Sequence, residues 1–191
     1  MTNRSVESNH PPVYGLHHSA YRCRDAEETR AFYEDTLGFP MKMALHNEVH
    51  PTTGEPDVFM HLFFDIGSAD KEKPNYIAFF DVPDHIGDDP AELYKTRWGL
   101  DLHFAMALAD HDALTTWKEI LEGHDIRVEG PIDHGMFSSI YFHDPNGYRL
   151  EFSAANREQA SVFDEHVRSA QANMKDWNAW KATRHAKASA G

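Results

Sequence analysis

The chain has 191 residues, enough for one compact domain with a sizeable core, and it contains no apolar run long enough to cross a bilayer. Its formal net charge of −13 opposes contact with phosphate backbones, which calls for clustered Lys and Arg, and so argues against a nucleic-acid partner. Cys23 is the only cysteine, which rules out an intrachain disulfide and a thiolate zinc site; a reducing cytoplasm fits, and any metal must take nitrogen and oxygen ligands from the 14 histidines and the carboxylates.

Residues 1–13 are polar, carry one Arg and resemble neither a signal nor a transit peptide, so they read as a disordered lead-in. A first unit follows over 14–82. Its opening strand, Gly15 to Cys23, leads into a helix whose start is marked by Asp25 with Glu28 three residues on, and whose end is marked by Gly38. Three strands are expected next, over Pro40–His46, Val58–Ile66 and Asn75–Phe80, with a loop from His46 to Asp57 that holds two Pro and one Gly. The Pro-, Asp- and Gly-rich stretch 83–99 reads as a connector.

The second unit, 100–154, begins with a strand over Asp101–Leu108 and a helix over Ala113–Glu122. A strand at Ile126–Glu129 and a hairpin turning at Asp144-Pro145-Asn146-Gly147 complete it. One constant offset carries His18 onto His103, Asp25 onto Asp110, Phe32 onto Trp117 and Gly38 onto Gly123 without a gap, so the two units are copies of one frame. The extension 155–191 changes to helical spacing, with Phe163, Val167, Ala170, Met174 and Trp177 forming one narrow apolar seam suited to packing on the same domain or on a second subunit.

Each copy opens on a His, and the second closes on Glu151. Two His and one carboxylate on three separate strands, His18, His103 and Glu151, are the set a mononuclear non-haem iron(II) site uses. His17 and His18 are adjacent, and strand alternation sends neighbours to opposite faces, so the offset selects His18. His46, His50, His111 and His143 read as surface residues, and Cys23 as a small buried one.

Strand, helix and three strands, twice, with His heading both first strands and Glu on the last, resembles the vicinal oxygen chelate superfamily over about Tyr14 to Ser153. That superfamily includes glyoxalase I, methylmalonyl-CoA epimerases, fosfomycin and bleomycin resistance proteins, and extradiol catechol dioxygenases. The resemblance implies an α+β fold of two tandem βαβββ modules whose cupped mixed sheet surrounds a divalent metal, followed here by a C-terminal helix. It also implies metal ligands on the first and last strands of each module: His18, His103, Glu151 and a position in Tyr76–Phe80. A glyoxalase-like member carries a carboxylate at that last position, and this chain has Ala78. Three ligands leave three positions open, enough for both oxygens of a catechol and for dioxygen.

A second pattern is more specific. Ile132, His134, five residues, Ile140-Tyr141, two residues, Asp144-Pro145-Asn146-Gly147, three residues and Glu151 looks like the extradiol ring-cleavage signature. The resemblance implies that Tyr141 and His134 lie beside the substrate and serve as hydrogen-bonding or acid–base groups. A plain two-residue turn at Pro145-Asn146 would set Ile140 opposite Glu151; for Tyr141 to face the site the hairpin must shift by one residue, which Gly147 makes easy. Larger extradiol enzymes carry an acid–base His near the position of Asn75, and His61, His85 or His134 are the candidates to replace it.

These readings converge on a homodimeric Fe(II) extradiol dioxygenase, with Mn as an alternative metal, acting on a small aromatic diol and O2 in the cytoplasm, with no nucleic-acid or membrane partner. Two alternatives stand beside it: a glyoxalase-like lyase, isomerase or epimerase using Ni, Zn or Mg, and a non-catalytic small-molecule binder of the bleomycin-resistance kind.

Overall fold

The computed structural model describes residues 16–50, 52–67, 75–82, 102–156 and 160–188, so the lead-in 1–13 and the connector 83–99 lie outside the described residues. The duplicated frame becomes two units, each with its own four-stranded sheet. The first contains β1 (His18–Cys23), α1 (Ala26–Arg30) running on into a π-helical stretch (Ala31–Thr36), β2 (Met41–Val49), β3 (Pro56–Asp65) and β4 (Tyr76–Asp81). Its strand order is β1-β4-β3-β2, with β1 parallel to β4 and the other pairs antiparallel. Asp144–Gly147 is grouped with this unit.

The second unit contains β5 (Phe104–Leu108), α2 (His111–Gly123), β6 (Glu129–Asp133), β7 (Phe137–His143), β8 (Arg149–Ala155) and the long α3 (Ala160–Ala188). Its sheet repeats the first, in the order β5-β8-β7-β6 with β5 parallel to β8. The architecture is the α+β pair of βαβββ modules, plus a C-terminal helix, that the sequence led us to expect.

The repeat extends to helix starts. Asp25 accepts from Glu28 N at 2.7 Å and Asp110, its offset equivalent, accepts from Ala113 N at 2.9 Å, so both helices are N-capped by the same device. The cap sets the start of α2 at His111, two residues earlier than the sequence suggested. Each helix covers one face of its sheet. Tyr33 stacks on Phe64 and tilts against Phe79, with ring centroids 5.3 and 4.8 Å away, and all three are fully buried. Leu114, Leu121, Ile140, Phe142, Leu150 and Phe152 form the matching core of the second unit. Burying each such side chain contributes roughly 1.5–3 kcal/mol, so these faces hold the helices in place.

Two strand assignments differ from expectation. The expected loop at 46–57 shrinks from both sides, with 46–49 and 56–57 in strand, because His50 organises a tight tip: its Nδ1 accepts from Thr52 N and Thr53 N at 3.2 and 3.3 Å, and Gly54, at φ 73°, donates to the His50 carbonyl. The strand expected over Ile126–Glu129 instead begins at Glu129. Ile126 N donates back to Leu121 O, keeping that segment at the helix end, and Asp125 turns the chain at φ 58°. The register breaks between Glu129 and Ile132, around Gly130 at φ 107°; a Cβ there would meet the Ser139 carbonyl oxygen at 2.6 Å, so only glycine fits.

Along α3, Val167, Met174, Trp177 and Trp180 are all exposed, and the two indoles stack with centroids 4.6 Å apart. No helix among the described residues is long and apolar enough to cross a membrane.

Candidate metal centre

In the first unit, the face turned away from α1 carries the histidine chemistry. Alternation along β1 puts His18, Ala20 and Arg22 on one side, paired across β4 with Tyr76, Ala78 and Phe80. On β3, Phe63 and His61 stand opposite Ala78 and Phe80 on that same face. The His18 ring lies 5.5 Å from Phe63 and 6.5 Å from His61, and His61 stacks on Phe80 at 3.7 Å. Burial, then the neighbouring His18, lowers the pKa of His61, which favours its neutral form. Its Nε2 is buried with no hydrogen-bond partner among the described residues. Ala78, at the position where a fourth ligand would stand, is fully buried on the same face. His85 lies outside the described residues.

His17 and His18 do not separate to opposite faces as strand alternation predicts. His17 stands just before β1, outside the pleat, and its Nδ1 lies 2.8 Å from Nδ1 of His18. Neighbours separate to opposite faces only within a regular strand, so these two imidazoles stay together.

In the second unit the sequence candidates meet. Glu151 is 3% exposed, and its two oxygens are held separately. Oε2 faces His103 Nε2 at 2.8 Å, while Oε1 accepts from Ser139 Oγ at 2.6 Å and Ser153 Oγ at 2.5 Å. Burial pushes the carboxyl upward, but the two hydroxyls and then His103 outweigh it and hold the group below the usual carboxylate range. Glu151 is therefore an anion in a largely dry setting, held in one orientation.

Tyr141 pairs directly with Glu151 across β7 and β8, and Phe142 with Leu150. The hairpin has the one-residue shift that brings Tyr141 to the Glu151 face. The shift resides in Gly147, which adopts φ 91° and donates to the Asp144 carbonyl at 2.9 Å. The Tyr141 hydroxyl lies 2.9 Å from His134 Nε2, and the Arg149 guanidinium sits 4.1 Å over the Tyr141 ring. Burial and the nearby Glu151 charge raise the phenol pKa, so Tyr141 stays protonated at neutral pH.

Ser139, Ser153 and Arg149 escaped the sequence reading. Each lies two residues from Tyr141 or Glu151 on a strand, so period-two alternation carries the signal that could have found them. Of the histidines read as surface, His46 and His111 are exposed, whereas His50 is half-buried and lines a cavity. Cys23 is buried, as expected.

His103 and Glu151 make a two-donor set within the second unit, and the third candidate ligand, His18, belongs to the first. Among the described residues no three His, Cys, Asp or Glu side chains are gathered as a metal cage. An imidazole and a carboxylate 2.8 Å apart, with the carboxylate held ionised, fit the nitrogen and oxygen donors a divalent first-row metal takes.

Two βαβββ modules with a His just ahead of the first strand of the second and a Glu on its last strand define a glyoxalase-type fold. The chain belongs to the Glyoxalase/Bleomycin resistance protein/Dioxygenase superfamily, whose family model matches residues 15–152. No curated protein matches the chain in sequence. Among solved structures it is similar to a glyoxylase/bleomycin resistance protein/dioxygenase domain from Frankia sp. (15% identity, 76% of this chain and 100% of that one, TM-score 0.59). It is similar also to lactoylglutathione lyase from Agrobacterium tumefaciens (24% identity, 75% and 96%, TM-score 0.51). A third is the fosfomycin resistance protein FosX from Listeria monocytogenes, solved with Mn(II) (17% identity, 78% and 98%, TM-score 0.51). At these identities the likeness is one of fold.

Proposed function

We propose that the chain is an extradiol dioxygenase that opens the ring of a catechol, with His18, His103 and Glu151 holding one Fe(II) ion. The observation that best supports this reading is the connected set His103, Glu151, Tyr141 and His134, in which an ionised carboxylate, a phenol and two imidazoles share one sheet face. When bound, Fe(II) would supply open positions for both catechol oxygens and for dioxygen.

The chain's own groups do the rest. Ser139 and Ser153 fix Glu151 so that its second oxygen stays directed at His103. Tyr141, protonated, donates a hydrogen bond to a substrate oxygen, and His134 Nε2 takes or returns a proton at the phenol oxygen 2.9 Å away. His61 offers a second imidazole on the His18 face, neutral and with an unengaged nitrogen, ready to accept a proton from a substrate hydroxyl.

A metal-dependent lyase or isomerase is the second reading, suggested by the similarity to lactoylglutathione lyase and by Mn(II) in FosX. Ala78 weighs against it, because the position where a fourth carboxylate would complete the coordination shell carries a methyl group.

The test is anaerobic loading with Fe(II), addition of a catechol panel, and admission of air with the visible spectrum and oxygen uptake recorded. A yellow ring-opened product with one O2 consumed per catechol, lost in His103→Ala, supports the reading. Bound iron with neither product nor oxygen uptake overturns it and turns attention to Mn, Ni, Zn or Mg and to isomerase substrates.

A further inference from the structure

The two imidazoles that open the first unit meet ring to ring. Nδ1 of His17 lies 2.8 Å from Nδ1 of His18, the rings stand edge-on at 77°, and no other hydrogen bond reaches either imidazole among the described residues. Backbone and packing hold both in place. The His17 carbonyl accepts from Tyr76 N at 3.0 Å, which ties the residue to β4 just ahead of β1, and its ring lies edge-on to the Tyr76 ring at 5.9 Å. His18 rests against Phe63 at 5.5 Å. In a neutral pair at this distance one of the two facing Nδ1 atoms carries a proton and the other accepts it, and the Nε2 of each ring takes the opposite state. The two arrangements differ at one atom that matters. If His17 donates, His18 carries its own proton on Nε2 and has no lone pair there; if His18 donates, its Nε2 is a bare lone pair.

We infer that His17 is a positioning residue for the metal: its Nδ1 accepts from Nδ1 of His18 and so holds His18 in the tautomer whose Nε2 can act as a ligand. The inference rests on the function proposed above in one respect, that His18 is a metal ligand. With Nδ1 of His18 turned to His17, Nε2 is the nitrogen left for a metal, and ligation there requires that Nδ1 keep its proton. The atom placed to receive that proton is His17 Nδ1. Ligating imidazoles usually pass it to a carboxylate, a backbone carbonyl or water; among the described residues neither a carboxylate nor a carbonyl meets His18 Nδ1, and a second imidazole takes that place. The same bond raises the basicity of the His18 ring and fixes its orientation. Departure from strand alternation is what makes the pairing possible. Inside the pleat of β1, His17 would point to the helix-covered face, away from His18; standing one residue ahead of the strand, it turns to the side that carries His18 and Tyr76.

The test reads metal affinity rather than turnover. The full chain, stripped with a chelator, is titrated with Mn(II) while the free ion is followed by its paramagnetic resonance signal. His17→Leu and His17→Asn have similar shapes and differ in the acceptor: the Asn carbonyl oxygen occupies the place of the His Nδ1 relative to Cβ, and Leu has a methyl group there. The expected result is Mn(II) binding weaker by about 10- to 100-fold in His17→Leu and most of the affinity recovered in His17→Asn, with thermal unfolding of the metal-free variants verifying that both fold. Unchanged affinity in His17→Leu, or an equal loss in both variants, would overturn the inference. His18→Ala separates this outcome from a failure of the reading beneath it. Binding lost in His18→Ala but intact in His17→Leu leaves His18 a ligand and removes His17, whereas binding unchanged in His18→Ala, or no Mn(II) uptake by the unsubstituted chain, removes His18 from the metal centre and the inference with it.

Discussion

The turn sequence Asp144-Pro145-Asn146-Gly147 makes a stability prediction that its surface-loop composition would not suggest. Asn146 is fully buried and Asp144 is 5% exposed. The Asn146 carbonyl accepts from Arg24 N at 2.9 Å, a donor-only group, which fixes the orientation of the amide. Its Nδ2 donates to Thr29 Oγ1 and to Asp144 Oδ2, each at 3.2 Å, and the same Asp144 oxygen accepts from Tyr33 at 3.1 Å. Arg24 also donates from its guanidinium to the Pro145 carbonyl. Asn146→Ala removes three hydrogen bonds and leaves the Arg24 amide without its Asn146 acceptor, while the Thr29 hydroxyl keeps its bond to the Asp25 carbonyl at 2.7 Å; at about 1 kcal/mol for each bond the loss is about 3 kcal/mol, more where the amide stays dry. Asn146→Asp is expected to cost at least as much, since a second carboxylate would face Asp144 at close range. In urea, with a slope of about 2 kcal/mol/M, the alanine variant should unfold at a midpoint about 1.5 M lower with the slope unchanged. A shift below about 0.3 M would refute the assignment of this turn as a buried polar anchor.

Four further outcomes follow from the geometry. Burial, together with the charges of Asp81, Asp144 and Asp25, pushes the Cys23 thiol up to about 12 from its ordinary 9.0, so at pH 8 the folded protein should react with a disulfide reagent far more slowly than the urea-unfolded chain; because the folded value is the higher one, the stability tied to this thiol is present below pH 9.0 and is lost as pH rises toward 12. Glu151 has the opposite sign: its stability contribution is present above its ordinary value of 4.5 and is lost as pH falls through the lower folded value, so removing both hydroxyls in Ser139→Ala/Ser153→Ala should move the acid-unfolding midpoint of the metal-free protein to higher pH, as read by circular dichroism. Tyr141→Phe should retain metal content and fold while kcat falls by about 10²- to 10⁴-fold with KM little changed, and an equal loss in metal content would show that the phenol acts on structure instead. The exposed Val167, Met174, Trp177 and Trp180 of α3 are expected to hold a homodimer, so sedimentation of a chain ending at Asn156 should report a monomer and that of the full chain a dimer; identical profiles would remove α3 as the interface.

The features that came through in the sequence were those encoded locally or by repetition. Asp25 was legible as a helix cap because a carboxylate three residues before an unpaired amide is a local arrangement, and its offset equivalent Asp110 caps the second helix in the same way although the sequence reading began that helix at Ala113. The sheet faces followed from alternation, which is why His61, Ala78 and His18 fall together and why Glu151 faces inward beside His103. What escaped depended on backbone that propensity does not describe. The His50 tip lengthens β2 because a side-chain acceptor replaces a turn residue, and β6 begins late because Asp125 turns the chain at positive φ and Ile126 N is held back at the helix end by Leu121 O. At Asn146 the turn was legible but its burial was not: Asn and Asp favour turns through short-range hydrogen bonds, yet here the same groups also bond partners more than a hundred positions away in sequence.

That use of the turn bears on the proposed chemistry. A two-residue turn would have been the shorter closure for β7 and β8, and it would have turned Ile140 toward Glu151 and Tyr141 into the helix-covered core. The longer closure, through Gly147 at φ 91°, reverses that choice; Asn146 stays outside the hairpin ladder, as it would in the shorter turn. Its amide is instead satisfied by Arg24, Thr29 and Asp144, so the residues that anchor the turn also stabilise the register that sets Tyr141 across from Glu151. A turn able to slip by one residue would exchange a phenol for an isoleucine at the carboxylate, because side-chain direction has period two. Burying Asn146 makes the slipped register costly by roughly the 3 kcal/mol estimated above, a population ratio of about a hundredfold or more. The Asp-Pro-Asn-Gly segment therefore acts as the register lock of the candidate site, although none of its side chains touches Glu151, His103 or Tyr141 among the described hydrogen bonds.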